Sequence, residues 1–156
     1  MKYIRLTKEQ LTELYPEFIK FLASQSIDKI KWDNIKKNNP ELAEQELDIF
    51  SDLIWERALG RVKYIDHFSK NHVFLFHCLK DHFTSIVISV DDKSVNLLNQ
   101  QGIDWLFKHL KSDVVQIKTG TKKIECNNRN SEIFSLIRKG GSISKGELFN
   151  KMRQII

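Results

Sequence analysis

Apolar residues along this chain follow two different periods. Up to Gly60, and again beyond residue 100, they recur every three or four positions, the spacing of one helix face. From Arg61 to Leu98 they alternate with polar residues, the spacing of a half-buried strand. The change of period predicts an α+β fold, with N-terminal and C-terminal helices packed on a small antiparallel sheet, a meander around residues 61–98.

The first helix starts at "LTKEQL". Thr7 is placed to cap it, Gln10 to complete a capping box, and Leu6 and Leu11 to form the hydrophobic staple. Leu11, Leu14, Phe18, Phe21 and Leu22 continue at helical spacing. Pro16 lacks an N–H and crowds the preceding turn, so it predicts a kink or a restart. A second short helix fits residues 28–38, with Ile30 and Ile35 inward. The third, "NNPELAEQELDIFSDLIWERALG", has Asn39 as N-cap, Pro40 at its first position and Gly60 past its end.

After Gly60, "RVKYID", "HVFLFHCL" and "FTSIVISV" read as strands, with "KD" as the tight connection between the last two and Val95–Leu98 as a fourth. A helix at 103–111 follows, then a strand near "DVVQIK", a basic turn at "KTGTKK", a polar loop at "ECNNRNS" and two final helices. The last of these is expected to start at Ser144, with Glu147 completing a capping box. No repeat or linker divides the chain, which is expected to be a single domain: helical over 1–60, stranded over 61–98 and mixed over 99–156.

Composition narrows the class. At 41% hydrophobic and 10% aromatic residues, 156 residues can bury a contiguous core, so disorder is excluded for most of the chain. The longest strongly apolar run, "VFLF", is far too short to cross a membrane, and the first residues carry no signal pattern. Cytoplasmic location and two reduced thiols, Cys78 and Cys126, are the expectation. Charge is uneven: residues 1–100 hold 14 Lys+Arg against 15 Asp+Glu, whereas residues 101–156 hold 11 against 5. The basic excess therefore lies in the last third, where it permits an anionic partner.

Four of the five histidines, His67, His72, His77 and His82, recur every fifth residue beside Cys78, which raises a metal site. Geometry weakens it. Residues five apart on one strand point to opposite faces, so His72 and His77 cannot share an ion, and a hairpin brings at most two histidines together. His72, His77 and His82 stand as weak metal candidates, and no cofactor is implied. Glu41, Glu44, Asp48, Asp52 and Glu56 line one side of the third helix and form a candidate protein-interaction surface. No histidine accompanies them as a di-metal site would need. "KTGTKK" lacks P-loop spacing, no G-x-S-x-G elbow exposes a serine, and no catalytic residue is assigned.

The end of the chain, "SLIRKGGSISKGELF", resembles the opening of winged-helix domains, but only one helix follows, so no DNA-reading motif is complete. Its basic residues, with those just before it, supply an anion or RNA contact set: Lys122, Lys123, Arg129, Arg138, Lys139 and Lys145. Phe74 and Phe76 share one strand face, as in a stacking platform for RNA, but no RNP glycine or basic residues surround them, so core packing is the better account.

"RLTKEQL", "FIKFLASQSID", "ELDIFSDLIWERAL", "HVFLFH" and "KGELF" together resemble a family of short, uncharacterised bacterial proteins of about this length, a domain of unknown function. The resemblance implies a self-contained protein and brings no activity or site residue. The expected function is a non-catalytic interaction module with another protein as partner. RNA or ribosome association through the basic third is the first alternative, and an enzyme or metal-binding protein using the strand histidines the second. Oligomeric state is not legible.

Overall fold

The computed structural model describes all residues, 1–156, and divides into two compact units, residues 1–60 and 61–156. The division falls where the hydrophobic period changes. With seven helices and one five-stranded antiparallel sheet, the fold is α+β. No helix is long and apolar enough to cross a membrane.

The first unit holds α1 (Lys8–Glu13), α2 (Tyr15–Ser24), α3 (Lys29–Asn38) and α4 (Pro40–Gly60). Thr7 and Gln10 form the expected capping box, and Pro16 does restart the helix, taking a first-turn position in α2. Phe18, Leu22, Trp32, Ala43 and Phe50 make the core, with Phe50 and Trp32 each edge-on to Phe18. The expectation for the second helix needs one correction. Ile35 packs on the core, but Ile30 is 81% exposed and Trp32 takes the inward place. Positions 30 and 32 point to nearly opposite sides of a helix, and the indole buries more apolar surface than the smaller side chain.

The second unit holds β1 (Tyr64–Phe68), β2 (His72–Cys78), β3 (His82–Val90), α5 (Gln100–Lys108), β4 (Val115–Lys123), a 3-10 turn (Cys126–Asn128), α6 (Arg129–Arg138), β5 (Ser142–Ser144) and α7 (Glu147–Ile155). The strand order is β4-β3-β2-β1-β5. One face of the sheet carries Val73, Leu75, Ile86 and Ile88, which form the core with Leu106 of α5 and with Phe149 and Met152 of α7. On the other face α6 covers Ile65 and Cys78 at one end, and its own Ile133 is fully buried.

Three sequence expectations are overturned here. Val95–Leu98 is not a strand. Asp92 accepts hydrogen bonds from the backbone N–H and hydroxyl of Ser94, and Asn96 accepts one from the Leu98 N–H, so side chains compete with ladder formation while Val95 and Leu97 still plug the core. "KTGTKK" is not a turn: Lys118–Lys123 completes β4, which pairs along all nine residues of β3, with Gly120 opposite Ser85. Ser144 does not cap the last helix, because it pairs with Tyr64 in β5 and donates to Asp66 through its hydroxyl. The helix starts after Gly146, whose φ of +81° and closeness to the Tyr64 ring, 2.6 Å from where a Cβ would stand, leave room for glycine only.

Both cysteines are free, Cys78 buried and Cys126 exposed, and burial pushes the Cys78 thiol up to about 11. An aromatic disulfide reagent at neutral pH is therefore expected to modify one thiol quickly, Cys126, and the second only as the protein unfolds. Two equally fast thiols would show that the Cys78 end of the sheet opens readily.

Candidate nucleic-acid interface

The face of the sheet that α6 only partly covers is assembled from alternate residues of neighbouring strands. Register sets its rows: His67, Phe74, Val87 and Lys118 lie side by side, then Ile65, Phe76, Ser85 and Gly120, then Cys78, Phe83 and Lys122. The third row and Ile65 are sealed, except that Lys122 projects outward and meets Glu132 of α6 at 3.3 Å. In the first two rows Phe74, Phe76 and Val87 stay half-exposed, while Lys118 and Gly120 are exposed. The result is an aromatic strip beside a flat glycine-serine position, with lysines on the edge strand. The rings of His67 and His72 approach Phe74 at 5.6 and 5.9 Å between centroids and continue the strip.

The six basic residues singled out in the sequence separate here. Lys122 projects from this face, and exposed Arg138 and Lys139 end α6, next to Gly140, which lies against the His67 ring. Lys123 points to the opposite face, and Lys145 sits in the turn before α7. Arg129 is half-buried and donates to the carbonyls of Val62 (2.5 Å), Cys78 (3.0 Å) and Leu79 (3.0 Å), so it braces the sheet end rather than offering a free cation. Lys118 was not singled out by sequence reasoning, because the supposed turn at "KTGTKK" hid the alternation that puts it on this face.

The acidic side of α4 is largely engaged within its own unit. Asp52 accepts from the backbone N–H groups of Lys2 and Tyr3, Arg5 pairs with Glu44 and Asp48, and Glu56 pairs with Lys2 and the Tyr3 hydroxyl. Glu41 stays exposed in the first turn.

The histidines divide between faces, as alternation requires. His72 lies on the α6 side and His77 on the α7 side, opposite Thr84, while His82 pairs with Asp81 at the strand end. No three His, Cys, Asp or Glu side chains converge. His77 stacks on Tyr64 and meets Phe149 edge-on. Burial, and then the charges of Arg153, His82 and Lys63, hold its imidazole below the usual histidine range. Because the unfolded chain takes up that proton more readily than the folded one, stability should fall as the pH drops through the unfolded value near 6.5. The urea midpoint should decline between about pH 7.5 and 5.5, less steeply in His77→Phe. An identical decline in the variant would assign the effect to other groups.

An antiparallel sheet with one helix-packed face and one half-open, aromatic and basic face defines the class: an α+β protein carrying its candidate site on the sheet. The chain belongs to a Family of unknown function (DUF6495), whose model matches residues 1–156. No curated protein and no solved structure matches it.

Proposed function

We propose that the protein is a non-catalytic interaction module that holds single-stranded RNA on the half-open face of its sheet. The observation that supports this reading most is the pairing of half-exposed Phe74 and Phe76 on β2 with Lys118 and Lys122 on the same face of β4, two strands away. Two strand spacings are about 10 Å, a distance that lets a base lie on a ring while a lysine reaches its phosphate. Residues 61–156 carry 16 Lys+Arg against 9 Asp+Glu, so the unit bearing this face attracts polyanions. The reading has the protein in the cytoplasm, where free Cys78 and Cys126 stay reduced. A protein partner at the α4 carboxylates would first have to displace Lys2 and Arg5.

Fluorescence anisotropy with a labelled oligouridine tests the reading. Affinity should fall with salt, with a slope of about −0.7 per phosphate neutralised, and Lys118→Gln with Lys122→Gln should reduce that slope by about 1.4. Phe74→Leu with Phe76→Leu keeps apolar bulk but removes the stacking faces, so it should weaken binding roughly tenfold or more. Wild-type affinity in the leucine variant would sink the proposal.

A further inference from the structure

The opposite side of the sheet holds a second feature. Where β3 and β4 meet α7, a concavity of about 390 Å³ is walled by Thr84, Thr119, Thr121, Phe149, Arg153 and Ile156. The three threonines share one face by register: Thr84 lies opposite Thr121, and Thr119 opposite Ile86. Across β2, Thr84 is the pairing partner of His77. The Thr84 hydroxyl and His77 Nδ1 are the protein's two buried side-chain polar atoms without a hydrogen-bond partner. Buried polar atoms are nearly always paired, so an orphan hydroxyl on the wall of a cavity, with a second orphan on its cross-strand neighbour, points to a group that the chain itself does not supply.

The charges define that group. Arg153 makes no ion pair, and no side chain walling the concavity is acidic. The charged groups that act on His77 are basic and none is a carboxylate: Arg153 on α7, His82 on β3 and Lys63 ahead of β1. A guanidinium forks onto two oxygens of a phosphate or carboxylate, and hydroxyls complete the shell. Phe149 and Ile156 supply an apolar wall on the other side. A cavity of this size lies at the small end of ligand sites.

We propose that this concavity binds a small organic anion, with Arg153 and the hydroxyls of Thr84, Thr119 and Thr121 on its oxyanion and its apolar part against Phe149. The site is independent of the RNA-facing surface, from which it is separated by the sheet.

Titration of the full chain with phenyl phosphate, benzoate and uncharged phenol, followed by NMR, tests the proposal. Either anion should give saturable shifts at the Thr84, Thr119 and Thr121 amides and at the His77 ring, with phenol giving none. Arg153→Gln and Thr84→Val should each weaken anion binding at least about tenfold, as expected for a lost charged or hydroxyl partner. Thr84→Val keeps the shape and removes the orphan hydroxyl, so its urea midpoint should match or exceed that of the wild type, which separates lost binding from lost folding. Lys118→Gln with Lys122→Gln should bind the anion as the wild type does. No saturable shift up to about 10 mM, equal shifts with phenol, or affinities unchanged in both site variants would overturn the proposal.

Discussion

Arg129→Met is expected to cost about 3–4 kcal/mol of folding stability, taking about 1.5 kcal/mol for each charge-assisted hydrogen bond and less than full additivity. The guanidinium ties Val62, just before β1, to Cys78 and Leu79 at the end of β2, and does so from the first residue of α6. Methionine retains much of the packing but leaves these carbonyls without their donor. Arg129→Lys should recover less than half the loss, because arginine reaches the three carbonyls from two separate nitrogens, Nε and Nη2, and lysine has only one. Urea unfolding followed by circular dichroism measures both. A loss below about 1 kcal/mol for methionine would mean that water reaches the carbonyls and replaces the arginine.

Gly102→Ala should destabilise by about 3 kcal/mol, although helix propensity alone favours alanine by about 1 kcal/mol. Gly102 lies in the first turn of α5, and an added Cβ would stand 1.8 Å from the Asn96 carbonyl oxygen and 2.5 Å from its carbon. Those atoms are backbone, so they cannot swing aside as a side chain would. The helix would have to move, and with it Leu106, which is 1% exposed in the core. The same change at Gly60, at the end of α4, meets nothing within 4 Å and should be neutral or stabilising by up to about 1 kcal/mol. Paired thermal denaturation of the two variants reads out the contrast. Equal shifts would mean that the Asn96 turn gives way at little cost.

Gly102 acts through the close approach of α5 to the loop just before it, whereas Arg129 acts through contacts between distant segments. In the sequence, Arg129 belongs to a basic set and reads as an anion contact; its carbonyl partners are 50, 51 and 67 positions away. The α4 carboxylates likewise read as an open acidic stripe, because nothing local shows that Lys2, Tyr3 and Arg5 lie along it. Reversing Glu44, Asp48 and Asp52 to lysine would therefore disturb the unit itself and could not report on a partner alone.

What the chain determined by itself was whatever depends on neighbours within a turn or two. The Thr7–Gln10 box, the restart at Pro16, the long helix from Pro40 and the three strands after Gly60 follow from capping chemistry and side-chain periodicity. Alternation also placed His72 and His77 on opposite faces. Only the tertiary structure decided that "KTGTKK" extends an edge strand, that Ser144 pairs with Tyr64, and that Thr84 and Arg153 wall one concavity. Register and packing set those outcomes, and both are settled by free-energy differences between residues far apart along the chain, to which local pattern is blind.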